Sequence, residues 1–115
     1  MGPRYEEAFR EHLRRMAGDG AFGDEVTAVG PFWTRGRDQI EIDAVVLAGA
    51  PESAVVVGEC TWSARVSGTA LRAQLAERSR ALPRLSPELR YAVCARDRVD
   101  DATGCVPITA ADIFA

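Results

Sequence analysis

Two consecutive apolar segments, each holding an acidic residue inside its apolar run, constrain the fold of this chain more than any other feature. Residues 39–47 contain Asp43 and residues 54–62 contain Glu59, and both segments have the composition of strands. Residues 49–53 between them, Gly-Ala-Pro-Glu-Ser, are typical of a hairpin loop. Burying an unpaired carboxylate is costly, so each acid must lie at a solvated strand end or take part in a site. Two such strands in succession predict a shared site.

An amphipathic helix is predicted at the start of the chain, from Pro3 to about Gly18. Its apolar residues recur at the period of one helix face. They are Tyr5, Phe9, Leu13 and Met16. A strand over residues 25–33 and a turn over residues 34–38 precede the two acid-bearing strands. We expect the three strands to form an antiparallel meander, because short connections join them.

A second helix is predicted over residues 68–82, with Ser67 as its N-cap and leucines along one face. Pro83 and Pro87 are expected to end this helix and to mark the loop that follows it. The next strand, residues 90–95, should run parallel to a neighbour, because a helical crossover precedes it.

The end of the chain predicts a short strand near residues 105–108 and a terminal turn capped by Thr109. The order helix, three strands, helix, strand, strand indicates an α/β fold with a mixed central sheet flanked by helices. The 115 residues suffice for one core, so we expect a single domain over residues 1–115 that needs no metal or cofactor to fold.

Composition narrows the class of protein. The only histidine is His12, so a structural zinc site is not expected. Three cysteines inside or beside apolar runs favour a reducing, cytoplasmic location, and the chain has neither a membrane-spanning run nor a signal-peptide pattern. The net charge of −3 gives no overall attraction to nucleic acid. Every basic residue apart from the histidine is arginine, so no catalytic lysine exists in the chain.

An acid on one strand followed by Glu-X-Lys on the next resembles the PD-(D/E)XK nuclease superfamily. A closer resemblance rests on five strings: Tyr5-Glu6, Phe32-Trp33, Ile42-Asp43, Gly58-Glu59-Cys60 with Trp62, and Arg90-Tyr91. They resemble the carboxy-terminal domain of archaeal-type, DEXX-box P-loop ATPases, a restriction-endonuclease-like domain with the typical string Gly-Glu-Cys-Lys-Trp. The resemblance covers nearly the whole chain and implies a restriction-endonuclease-like core.

The same resemblance implies a P-loop ATPase domain as a partner, in cis or in trans. No Walker A glycine loop occurs in the chain, so that domain is not part of it. The chain is then either a fragment of a longer ATPase or a freestanding domain. A homodimer is a further arrangement that the sequence leaves open, whereas no membrane partner is expected.

The resemblance also implies a site for Mg²⁺ or Mn²⁺, made by Asp43, Glu59 and the backbone carbonyl of Cys60. Glu6 lies beside the apolar stripe of the first helix and could face the same place. Its alternative role is an ion pair with Arg10, one helical turn away. The alternative for the two strand acids is a solvated position paired with an arginine, namely Arg35, Arg37 or Arg65.

Thr61 stands where the superfamily has its catalytic lysine. Threonine carries no charge to stabilise a reacting phosphate or to polarise a water molecule. We therefore expect a metal-dependent nuclease fold with weak or no activity. The alternative is a non-catalytic module that binds DNA or a protein on the same fold.

The second helix offers three further candidates. Glutamine on this helix is a recurring site residue in the resembling family, which implies a catalytic role for Gln74. Arg72 and Arg78 are the candidates for contacts with nucleic acid, and the alternative for all three is a solvated helix face. Trp33 and Trp62 are expected to pack in the core or at a sheet edge, with stacking against bases as the alternative.

Overall fold

A computed structural model of the chain describes residues 3–36 and 39–114, in which runs of strands lie between the helices. The elements, in chain order, are α1 (Pro3–Gly18), β1 (Val26–Trp33), β2 (Glu41–Ala48), β3 (Ser53–Cys60), β4 (Arg65–Ser67), α2 (Gly68–Ser79), β5 (Leu85–Ala95), β6 (Arg98–Asp100), β7 (Val106–Thr109) and α3 (Ala110–Ile113). None of the described helices is both long and apolar enough to cross a membrane. The end of the predicted turn, including Arg37, lies outside the described residues.

Five strands form one mixed sheet in the order β1-β2-β3-β5-β7. The first three pair antiparallel, which confirms the predicted meander. β5 pairs parallel to β3, as predicted, because α2 carries the chain back across the sheet before β5 begins. β7 adds a further parallel strand at the edge. The predicted α/β class with a mixed central sheet is therefore confirmed.

Consecutive residues of the central strands point to opposite faces of the sheet, and each face has its own core. On one face the apolar side of α1 is buried, with Phe9 and Leu13 fully covered. Phe9 packs so closely on β3 that a Cβ at Gly58 would lie 2.8 Å from its ring. On the other face Leu75 of α2 is fully buried against Val57 and its neighbours.

Among the boundaries that differ from the predictions, those of α2, β5 and β3 matter most. α2 ends at Ser79, and the chain continues to Leu82 as hydrogen-bonded turns rather than as helix. β5 begins at Leu85, so the predicted loop at Pro87 is partly strand; proline is tolerated there because the pairing with β3 is irregular at this point. β3 ends at Cys60, before the predicted end at Trp62.

A second, two-stranded parallel sheet was not predicted. It joins β4 and β6, which have three residues each. Such short segments show no alternation that would mark them as strands. The sheet places Ser67 at the start of α2, where its hydroxyl accepts a hydrogen bond from Ala70 N as the predicted N-cap. Thr109 caps α3, as expected, through a capping box with Asp112.

Candidate functional site

The carboxylate of Asp43 lies where β2 and β3 separate. The antiparallel pairing of these strands reaches Ala44 and Gly58 and does not continue to Asp43. Beyond that pair the Asp43 side chain fills the gap, and its Oδ2 accepts a hydrogen bond from Cys60 N at 2.8 Å. The side chain of Asp43 thus accepts the hydrogen bond that a backbone carbonyl of β2 would accept in a regular sheet. Asp43 is therefore held between the strands and not free in solvent at a strand end.

The surroundings of Asp43 disfavour its charged form. Burial is the largest cause and raises its pKa to about 6, with the hydrogen bond from Cys60 N acting in the opposite direction. The negative charges of Glu59 and Glu6 raise this pKa further, and the positive charge of Arg10 lowers it. Two carboxylates from other elements therefore act electrostatically on Asp43.

Glu59 is half-buried on β3 and has two differently placed oxygens. Its Oε1 accepts a hydrogen bond from Nη1 of Arg78 on α2, at 2.8 Å. Its Oε2 is buried and has no hydrogen-bond partner among the described residues. Buried carboxylate oxygens normally have a hydrogen-bond partner, so Oε2 of Glu59 is an acceptor that the described residues leave unsatisfied.

Two open spaces lie beside these groups, and we call them together the cleft. A space of about 420 Å³ lies on the α2 side, and Asp43, Glu59 and Arg78 contribute to its lining. A second space of about 250 Å³ lies toward α1, and Glu6, Arg10 and Trp33 contribute to its lining. We call this second space the α1-side hollow. Both are also lined by Glu41 and Asp43, so they adjoin at the start of β2.

Arg10 is a site residue that the sequence did not reveal. Its side chain is nine-tenths buried, and its Nη1 donates to the backbone carbonyl of Asp43 at 2.8 Å. Its Nε pairs with Glu7 at 3.0 Å, so the ion pair proposed as the alternative role of Glu6 is made by the neighbouring glutamate. Glu6 instead lines the α1-side hollow. The packing of α1 on the sheet determines which of these two neighbouring acids pairs with Arg10. No feature of the sequence indicates that choice.

Thr61 lies just beyond the end of β3, and its hydroxyl is directed to the following loop. It donates to Ser63 Oγ at 3.2 Å and accepts from Ser63 N at 3.3 Å. Among the described residues that line the cleft, Thr61 is not included. The positive charge that enters the cleft comes from Arg78 and Arg10 instead.

The backbone carbonyl of Cys60 is directed toward the same gap as Asp43. The N–H of Cys60 points toward β2, since it donates to Asp43. In an extended strand the N–H and C=O of one residue point to the same side, so this carbonyl faces the gap as well. The three predicted oxygen donors therefore converge on one region, although Arg78 occupies one oxygen of Glu59.

The other candidates of the second helix lie outside the cleft. Gln74 is exposed on α2, and Arg72 places its guanidinium 5.2 Å from the centre of the Tyr91 ring. Arg65, an alternative partner for the acids, pairs with Asp100 at 3.1 Å. Of the predicted residues on α2, Arg78 alone contributes to the described cleft lining.

Carboxylate and carbonyl oxygens are the ligands that Mg²⁺ and Mn²⁺ prefer, and the cleft offers no imidazole or accessible thiolate among its described lining. Within residues 3–36 and 39–114, no group of three or more His, Cys, Asp or Glu side chains has the arrangement of a formed metal site. The oxygen ligands of the cleft thus fit a hard cation such as Mg²⁺. In this conformation Glu59 is also ion-paired with Arg78.

The fold and the cleft define an α/β domain with carboxylates gathered at the separating ends of two central strands. Residues 1–77 match the model of a family of archaeal and bacterial proteins of unknown function, DUF234. The match spans about two thirds of the 115 residues, so the chain belongs to this family. It includes Glu6, Asp43 and Glu59, and it ends before Arg78. No significant match was found among curated proteins or among solved structures.

Proposed function

We propose that this chain is a PD-(D/E)XK nuclease-like domain, related to the carboxy-terminal domains of archaeal-type P-loop ATPases, whose cleft binds a single Mg²⁺ or Mn²⁺. The observation that carries the proposal is that Asp43 and Glu59 line the same space, with Oε2 of Glu59 left without a hydrogen-bond partner among the described residues.

The order of helix, antiparallel meander, helix and parallel strand is the one that the resemblance implies, which gives a second, independent support. An ATPase domain, in the same chain or another, is the partner that we propose from the same resemblance. A second copy of the chain is the alternative partner.

Asp43, Glu59 and the carbonyl of Cys60 are the groups that would hold the cation, with Glu6 at the α1 side. A bound cation would supply charge to a phosphate oxygen and lower the pKa of a bound water molecule. The chain's own part is to hold these donors in place. Cys60 N orients the carboxylate of Asp43, and Arg10 fixes the backbone of Asp43 from the opposite side.

Cleavage by this domain is proposed to be slow or absent. The Thr61 hydroxyl has no charge and bonds to Ser63, so it adds nothing at the place where negative charge develops. The loss of one such electrostatic contact costs on the order of a hundred- to a thousandfold in rate. Arginine cannot replace a lysine as a base, because it stays protonated.

Titration calorimetry with Mn²⁺ tests the cation site. The variants Asp43→Asn and Glu59→Gln should each weaken binding about tenfold or more, because each removes a charged ligand. Glu88→Gln is the matched control, since Glu88 is exposed on the early part of β5. Wild-type affinity in both cleft variants, with folding intact, would refute the proposal.

The second candidate function is a non-catalytic module that binds DNA or a protein. It is favoured by a specific observation, the ion pair of Arg78 with Glu59, which neutralises a ligand that a working nuclease would use. Binding of nucleic acid that is unaffected by a chelator, together with no cleavage, would support this candidate over the first.

A further inference from the structure

An exposed tryptophan stands at the mouth of the cleft. Trp33 is the last residue of β1, and its side chain is 55 % exposed. It pairs across the strands with Glu41, and directly opposed residues share one face of a sheet. It also lines the α1-side hollow together with Asp43 and Arg10. The indole ring therefore borders a space that shares Asp43 with the proposed cation site.

Trp62 provides a contrast, because its ring is already engaged. It lies edge-on against the ring of Tyr5, with centroids 4.7 Å apart, and the guanidinium of Arg96 lies 5.6 Å from its centre. Trp33 makes no such contact with an aromatic ring or an arginine among residues 3–36 and 39–114. Its ring face is thus available to a flat ligand.

Arg10 supplies a donor in the same hollow. Its Nε is used by Glu7 and its Nη1 by the carbonyl of Asp43. Its Nη2 makes no hydrogen bond within the part of the chain that the structure describes. A guanidinium can only donate, and it binds phosphate oxygens well. The hollow thus combines a free aromatic face with a guanidinium N–H group.

We propose that Trp33 and Arg10 form a subsite for one unpaired nucleotide of a single-stranded nucleic acid, next to the cation site. The proposal rests on the proposed function. An aromatic side chain stacks on the face of a base, and in a duplex both faces are covered by neighbouring pairs. Trp33 can therefore take a base from a single strand, a flap or an end, but not from the interior of a duplex.

The charges of the hollow make this binding dependent on a divalent cation. Among its described lining residues, Glu6, Glu41 and Asp43 stand against one positive charge, that of Arg10. Without a cation the excess of carboxylates repels a phosphate. A divalent cation held by Asp43 and Glu59 would neutralise that excess, so strand binding and cation binding should rise together.

Fluorescence of the variant Trp62→Phe, in which Trp33 is the sole tryptophan, tests the subsite directly. A short oligothymidylate should quench this fluorescence in Mg²⁺ but not in a chelator. A blunt duplex of the same length should quench it far less. Equal quenching by strand and duplex, or quenching that persists in the chelator, would overturn the proposal.

Affinity for the labelled oligothymidylate gives the second measurement. Trp33→Ala should weaken binding about tenfold, since stacking on one base is worth about that much. Trp33→Phe should keep most of the affinity, and Trp62→Phe should bind as the wild type does. Unchanged affinity in Trp33→Ala would overturn the subsite.

Mn²⁺ binding by Trp33→Ala separates failure of the subsite from failure of the proposed function. Trp33 is not a cation ligand, so this variant should bind Mn²⁺ as the wild type does. Intact Mn²⁺ binding with no contribution of Trp33 to strand binding would refute the subsite alone. A wild type that binds neither Mn²⁺ nor the oligonucleotide would refute the proposed function and the subsite with it.

Discussion

Two clusters of charged residues lie near strand ends in this molecule, and they differ in how their charges are balanced. In the small β4–β6 sheet, Asp100 is paired on both oxygens, with Arg98 at 2.7 Å and Arg65 at 3.1 Å. Both arginines are largely exposed. In the cleft, Asp43 is held between strands with its pKa raised, and one oxygen of Glu59 has no partner among the described residues.

Burial and incomplete pairing distinguish the cleft from the β4–β6 cluster, since both contain acids and arginines. In the β4–β6 cluster, both oxygens of Asp100 already have an arginine partner within the protein. The cleft keeps half-buried carboxylates close together at a cost in stability, which is typical of sites that bind or react.

The largest effect of a single substitution is expected on the rate of DNA cleavage in the cleft. Thr61→Lys should raise Mg²⁺- or Mn²⁺-dependent cleavage of DNA about a hundredfold or more, because a flexible ammonium could reach the place where charge develops. Thr103→Lys is the matched control, an exposed threonine in the loop before β7. No gain in Thr61→Lys, with folding and cation binding intact, would show that the cleft lacks more than a lysine.

The next effect concerns stability and its dependence on pH. The pKa of Asp43 is about 6 in the folded protein against an ordinary 3.8, so folding favours its protonated form. This contribution to stability is full below about pH 4 and is lost as pH rises through about 6. Asp43→Asn should therefore stabilise the protein at pH 7, by about 1–2 kcal/mol after allowance for solvent screening.

Urea unfolding at several pH values measures this effect. The stabilisation by Asp43→Asn should shrink as pH falls from about 7 to about 4 and should disappear there. A stabilisation that does not change with pH, or a loss of stability at neutral pH, would contradict the burial of an ionised Asp43.

A smaller effect is expected for the ion pair inside the cleft. Arg78→Ala removes the positive charge next to Glu59, so Mn²⁺ affinity should rise about threefold to tenfold. The same variant should bind nucleic acid more weakly, with a salt slope reduced by about one unit. Arg72→Ala is the control for Mn²⁺ affinity, because the Arg72 guanidinium lies over the Tyr91 ring and not in the described cleft lining. Parallel changes in both affinities would contradict a competition between Arg78 and the cation.

The weakest response is expected in the β4–β6 cluster. Arg65→Ala should lower the free energy of unfolding by less than about 1 kcal/mol, and added salt should reduce the difference. Mn²⁺ binding should not change, since Arg65 pairs with Asp100 away from the described cleft lining. A large loss of stability, or any change in Mn²⁺ affinity, would remove the distinction between the two clusters.

The sequence predicts the framework of the cleft because strand pattern and chain order determine it. Two acid-bearing strands joined by a short loop must pair, and this brings Asp43 and Glu59 to one end of the meander. The direction of Thr61 could not be predicted, because β3 ends at Cys60 and strand alternation no longer applies beyond it.

The roles of Arg10 and Trp33 could not be predicted for a different reason. Each is brought to the cleft by packing between distant segments, one by α1 and one by the edge strand β1. From local composition, Arg10 is one of several charged residues on a helix, and Trp33 is an ordinary aromatic residue in a strand. The β4–β6 sheet was missed for lack of length, since three residues show no period.

A pH titration of Asp43 by NMR, with and without Mg²⁺, measures the charge balance of the cleft itself. If the cleft holds an excess of buried negative charge that a divalent cation relieves, Asp43 should titrate with a pKa of about 6 without the cation. In saturating Mg²⁺ the pKa should fall below its ordinary 3.8, because the bound cation favours the carboxylate. An ordinary pKa without the cation, or a raised pKa that Mg²⁺ leaves unchanged, would contradict a cation site in this cleft.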